Sequence, residues 1–227
     1  MAIFNNIKQL TLKKEGGLSR DTRDSASRYP SPYTYQGQTG WHTNKGITYR
    51  VFESASDKFG FPNTAENFLT MPDEIWTKIA KGLFWDDLKL DNLKSDGVAF
   101  QLFSWHWGAG YGWFTKMQEF LNSKGISWDK KSSTLSKALN DLITKQGERQ
   151  TIADLDTLQI AYYKSLNQPT YTKGWINRVK DTTSLAYRYV VDFAKKNESK
   201  IMNYGLMGVG LIVVTGLSYW YYKKIKK

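Results

Sequence analysis

From Ile201 to Tyr222 the chain carries no charged side chain, and the basic run Lys223-Lys224-Ile225-Lys226-Lys227 follows at once. About 20 such residues cross a hydrocarbon core as a helix. The stretch ends in Tyr219-Trp220-Tyr221-Tyr222 ahead of the lysines, the order expected of an interfacial aromatic belt and a basic stop. A buried C-terminal helix fits less well, because the stretch is apolar on every face and rich in glycine. Residues 201–222 are therefore expected to form a single transmembrane helix and 223–227 a basic tail. Gly205, Gly208, Gly210 and Gly216 offer small-residue contacts through which such a helix could oligomerise. Met1 to Lys14 is a mixed polar segment without the continuous apolar core of a signal peptide, so insertion is expected from the far end.

All 21 acidic residues lie before Ile201, together with 28 of the 32 basic ones, so the body carries a net charge of +7. That balance favours a polyanionic surface such as a cell wall, an anionic membrane or nucleic acid. No zinc finger, RNP-type aromatic motif or long basic helix is present, and nucleic acid is not the expected partner. The chain has no Cys and only two His, His42 and His106. Disulfides, thiolate metal sites and cysteine nucleophiles are excluded, no metal-ligand spacing survives, and no cofactor is implied. Glycine-rich phosphate loops, Gly-x-Ser-x-Gly elbows and His-Glu-x-x-His pairs are absent as well.

Apolar residues recur at helical spacing through most of the body. Ile3, Phe4, Ile7 and Leu10 predict a short amphipathic helix that stops at Glu15-Gly16-Gly17. Residues 19–46 read as a long loop, with a small hairpin allowed inside 28–50. Pro72 with Asp73 and Glu74 opens a second helix that places Ile75, Ile79 and Leu83 on one face. Further helices are predicted from Asp96 or Gly97 to the break at Gly108–Gly112, over Phe114–Leu121, Leu135–Ile143 and Ile152–Leu166, and from Asp181 to Lys200 as a stalk or juxtamembrane segment. The predicted class is mainly α.

Glu15 is the residue most suited to chemistry. It sits at a helix end where two glycines let a polymer approach closely, and a carboxyl held against apolar or aromatic surface has its charged form disfavoured, which suits a general acid. A solvated helix end is the plain alternative. Asp21 and Asp24 could supply the second carboxylate of glycoside hydrolysis, or form a turn paired with Arg20 and Arg23. His42, between Trp41 and Thr43, could orient a substrate hydroxyl or be an exposed loop residue. Trp105 shares the face of Val98 and Leu102 and belongs to the core, which leaves Trp107 for sugar stacking.

Taken in order, these segments resemble glycoside hydrolase family 108, bacterial and phage N-acetylmuramidases. Lys14-Glu15-Gly16-Gly17 is similar to the family's Glu-Gly-Gly motif, Thr43-Asn44-Lys45-Gly46-Ile47-Thr48 to its Thr-Asn-x-Gly-[Ile/Val]-Thr motif, and Trp76 through Phe84-Trp85 to the helix that follows. Val98 to Gly110 and Gly174-Trp175-Ile176-Asn177-Arg178-Val179 resemble the associated C-terminal peptidoglycan-binding region. The resemblance implies a lysozyme-like fold, peptidoglycan as partner, Glu15 as the catalytic glutamate, and Thr43, Asn44 and Thr48 as substrate-site residues. It also implies a division into a catalytic region (1–92), a helical wall-binding-like region (93–180), a juxtamembrane helix (181–200), the span and the tail. The sequence departs from the family at Leu18, where an aromatic is usual, and in a longer 19–42 stretch carrying Tyr29, Tyr33 and Tyr35; the second carboxylate stays open between Asp21, Asp24 and none. A lytic transglycosylase and a non-catalytic wall-binding membrane protein are the alternatives. A wall-cutting body joined to a C-terminal span suggests a phage protein in a virion membrane or the host inner membrane.

Overall fold

The computed structural model describes the backbone of residues 2–205 and the side chains of 4–13 and 15–190. Helix α1 (Ala2–Lys14) buries Phe4 and Ile7, as their spacing predicts, and Phe4 meets the edges of Trp85 and Phe103 at ring separations of 5.3 and 6.0 Å. The Glu15 amide donates to the Thr11 carbonyl at 3.1 Å and closes the last turn. Gly16 and Gly17 then release the chain into the long connection, whose only helical turn is the 3₁₀ segment Ser25–Arg28.

A two-residue hairpin follows, β1 (Thr43–Asn44) against β2 (Ile47–Thr48), with Thr43 opposite Thr48 and Asn44 opposite Ile47. Lys45 and Gly46 take φ of 46° and 78°. Positive φ at both turn positions is the type I′ geometry that matches the twist of short hairpins, and glycine carries the second position without a Cβ penalty. Helix α2 (Tyr49–Phe59) begins directly after it, with the Thr48 hydroxyl accepting from the Val51 amide at its first turn. Helices α3 (Ala65–Thr70) and α4 (Asp73–Ala80) complete the N-terminal half. Pro72 and the acids Asp73 and Glu74 stand at the start of α4, where the sequence places them, and α4 runs into a wide π-type turn over Lys81–Trp85.

The hairpin is tied down by its own motif. Asn44 is buried and its Nδ2 donates to the carbonyls of Phe68 and Leu69 at 2.8 and 2.9 Å, groups that the end of α3 leaves without helical partners. Lys45 Nζ donates to the Met71 carbonyl at 2.8 Å, and Trp76 Nε1 donates to the Lys45 carbonyl at 3.0 Å. Asn44→Ala removes two bonds and strands buried carbonyls, so a loss of about 2 kcal/mol is expected in a denaturant titration.

Helix α5 (Asp96–Ala109) is apolar around most of its circumference and runs through the centre of the described residues. Against it pack α8 (Glu148–Ser165) and α9 (Pro169–Gly205), and α6 (Phe114–Ser123) and α7 (Ser132–Gln146) pack in turn on α8. Gly97 lets α9 come close: a β-carbon there would stand 2.6 Å from the Ala186 carbonyl. Polar pins fix the register, with Gln101 Nε2 donating to Thr183 Oγ1 at 3.0 Å and Ser104 sharing a hydrogen bond with Thr182 at 3.2 Å. Trp105 is buried and stacks on Trp113 at 4.5 Å, the core position its face predicts. At the glycine-rich end of α5, burial raises the Asp87 carboxyl, but hydrogen bonds from His106, Tyr111 and Ser132 outweigh it and hold the group below its ordinary value.

Buried side chains form one cluster from Phe4 to Ala186, unbroken across residue 92. The helix expected over 181–200 is part of α9. Among the described residues no helix is long and apolar enough to cross a membrane, and the span expected at 201–222 lies outside the described residues from 206 onward.

Candidate active site

Glu15 ends α1 with its side chain 12% exposed, and three distant parts of the chain converge on its carboxyl. From α5, Trp107 Nε1 donates to Oε1 at 3.1 Å. From α9, Arg178 Nη1 stands 3.7 Å from the same Oε1, an ion pair too long for a hydrogen bond. From the hairpin turn, Gly46 presses on the other oxygen: a β-carbon at Gly46 would lie 2.5 Å from Oε2 and 2.7 Å from Cδ. Among the described residues no hydrogen bond is made to Oε2. The two carboxyl oxygens are thus unequal, one held by an indole N–H and faced by a guanidinium, the other lying against bare backbone.

Trp107 is itself fixed by rings, with Phe84, Trp76 and Phe103 at 4.8, 5.2 and 5.9 Å. Its N–H is therefore delivered to Glu15 by an aromatic cluster rather than by a free side chain. Beside the carboxyl lies a cavity of about 20 Å³, lined by Thr11, Ser104, Trp107, Arg178 and Thr182, enough for one water.

The other residues singled out from sequence are placed as follows. His42 is fully buried; its Nδ1 lies 2.9 Å from the Thr43 hydroxyl and its Nε2 3.2 Å from the Asp21 carbonyl, so both ring nitrogens pin the 19–24 segment. Thr43, Asn44 and Thr48 each have the internal partners described above. Asp21 is bound two-fold by Arg23, with Nε to Oδ1 at 2.9 Å and Nη2 to Oδ2 at 2.7 Å, and the Arg23 side-chain hydrogen bond lowers its carboxyl to about 2. Asp24 caps the 3₁₀ turn by accepting from the Ala26 amide at 2.9 Å. The structure brings Glu15 and Trp107 together and gives both aspartates local roles.

Arg178 and Gly46 are the site residues that sequence reasoning did not single out as such. Both lie in quoted motifs, the Gly-Trp-Ile-Asn-Arg ending and the Thr-Asn-Lys-Gly-Ile-Thr run. Nothing local in either motif signals a carboxylate contact. Among the described residues no group of three His, Asp or Glu side chains is placed to hold a metal ion.

No curated protein matches the chain. In overall fold it is similar to the solved structure of SagA from Brucella abortus, at 20% identity and a TM-score of 0.62, covering 83% of this chain and 95% of that one. Residues 8–110, which hold Glu15, the hairpin and Trp107, match the family model described as glycosyl hydrolase 108.

Proposed function

We propose that the chain is a glycoside hydrolase of peptidoglycan, an N-acetylmuramidase in which Glu15 protonates the oxygen linking N-acetylmuramic acid to N-acetylglucosamine. The observation that carries this reading is the unequal setting of the Glu15 carboxyl. Oε1 accepts from the Trp107 N–H, so Oε2, which makes no hydrogen bond among the described residues, is the oxygen that would carry the proton to a leaving group. When the proton departs, negative charge appears on a carboxyl already faced by Arg178 at 3.7 Å, which balances it without rearrangement. Gly46 keeps side-chain bulk away from the oxygen that acts. The match over residues 8–110 supports the same class of chemistry.

The second partner in the reaction is water, with Asp21, Asp24 or no carboxylate to activate it. Asp21 and Asp24 remain the named carboxylates of the 19–24 loop, each engaged locally in the free protein. The proposal extends to a setting: the charge-free segment 201–222 anchors the enzyme in a virion or host inner membrane, and the basic body holds it on an anionic wall during phage entry or lysis.

The test is mass spectrometry of purified sacculi digested with the full chain and with Glu15→Gln. Soluble muropeptides ending in reducing muramic acid, from the wild type alone, are the expected result. Anhydro-muramic ends, one water lighter, would reassign the protein to lytic transglycosylases. Absence of soluble products from either protein would leave a wall-binding role without catalysis.

A further inference from the structure

The long connection after Glu15 builds a second structure of its own. Ser19 joins the hairpin as an extended neighbour, its amide donating to the Thr43 carbonyl at 2.8 Å while the His42 amide donates to the Ser19 carbonyl at 3.0 Å. His42 points into the core, and because side chains alternate along an extended segment, Trp41 is turned to the other face. There it forms a group with Tyr35 and Arg20. The Tyr35 ring is 40% exposed and meets Trp41 edge-on at 6.0 Å, and the Arg20 guanidinium stands 5.6 Å over the Trp41 ring. Among the described residues Arg20 has no carboxylate partner.

The backbone beneath this group and the Trp41 indole are tied in place. Tyr35 and Gln38 exchange backbone hydrogen bonds at 2.9 and 3.0 Å around Gln36 and Gly37, whose φ of 49° and 72° make another type I′ turn. Trp41 Nε1 donates to the Gln38 carbonyl at 3.0 Å, and the Ser31 amide donates to the Trp41 carbonyl at 2.8 Å. Aromatic side chains fixed before binding lose little conformational entropy on contact, and their faces suit the C–H faces of a sugar ring, while an unpaired guanidinium suits hydroxyl, amide or carboxylate oxygens beside it.

The group also has a defined spacing from the reaction centre. Gly46, whose backbone lies against the Glu15 carboxyl, is five residues from Trp41 along the chain, past β1 and into the hairpin turn. Five residues reach at most about 17 Å, roughly the length of four linked sugars.

We propose that Tyr35, Trp41 and Arg20 form a distal saccharide subsite, which binds a ring of the glycan strand up to about four sugars from the bond cut at Glu15. The inference rests on the muramidase reading for its substrate class, but not for its location. It makes the enzyme favour long, uncut strands over short fragments.

The test compares kcat/KM of the full chain on glycan strands of four and of twelve or more sugars. Tyr35→Ala is expected to lose about fivefold on the long strand, through KM, and to match the wild type on the four-sugar substrate; Tyr35→Phe, which keeps the ring, is expected to behave as wild type on both. Equal loss on both lengths, or no loss on either, overturns the subsite. If the wild type cuts neither strand, the muramidase reading fails on its own, and the subsite is then judged by co-sedimentation with uncut long strands: Glu15→Gln must bind them at least about threefold more tightly than Glu15→Gln combined with Tyr35→Ala, and equal binding sinks it.

Discussion

Glu15→Gln is expected to lower turnover on peptidoglycan by about 10³-fold, within the range by which a positioned general acid accelerates a reaction. Glutamine keeps the shape of the side chain and an oxygen that can accept from Trp107, but it has no proton to give. Arg178 is 41% exposed, so water can solvate the guanidinium whichever side chain stands at position 15. The thermal midpoint should therefore move little, corresponding to less than about 1 kcal/mol. Retention of a tenth or more of wild-type turnover, with folding intact, would show that another group supplies the proton.

Gly46→Ala should be nearly as damaging to turnover for a different reason. The substitution places a β-carbon 2.5 Å from Glu15 Oε2 at a residue whose φ is +78°. The left-handed backbone costs a non-glycine residue roughly 1–2 kcal/mol, and the collision pushes the carboxyl off its position. A displacement of about 1 Å at the reacting group costs on the order of 10²-fold in rate. Gly60 provides the control, since its φ is +67° and a β-carbon there meets nothing within 4 Å. Gly60→Ala carries the backbone strain without the collision. Both variants should lose similar stability in a denaturant titration, and only Gly46→Ala should lose about 100-fold in turnover. Equal turnover in the two variants would mean that the hairpin tip does not position the carboxyl.

Where a feature is local, the sequence is enough to read it. The end of α1 at Glu15, the opening of α4 at Pro72 and the burial of Trp105 follow from glycine placement, first-turn chemistry and helical spacing. A small hairpin is allowed within 28–50 by the sequence, but its place at Lys45-Gly46 is shown by the positive φ of both residues in the structure. Helices α2 and α3 are harder to see; α2 carries two Ser and four charged residues, and α3 is only six residues long. His42 looks like a loop residue because its burial depends on Asp21 and Thr43 folding around it. The aspartates invite a catalytic reading until their local bonds to Arg23 and Ala26 are seen. The contact of Arg178 with Glu15 joins positions 163 residues apart, and no periodicity or spacing encodes such a meeting. The Gly-Trp-Ile-Asn-Arg ending is visible as a motif, but its association with a wall-binding region directs attention away from the carboxyl it reaches.

The same long separation has a consequence for biosynthesis. At translation speeds of about 5–20 residues per second, Arg178 is made roughly ten to thirty seconds after Glu15. Until α9 is complete, the Glu15 carboxyl lacks its counter-charge, and α5 lacks the helix that packs against Gly97. A chain that ends before residue 178 lacks the guanidinium that faces Glu15 Oε1 and most of the helix that packs on α5. The pair therefore forms only after more than three quarters of the chain has been made, so the setting of the Glu15 carboxyl is among the last features to be completed.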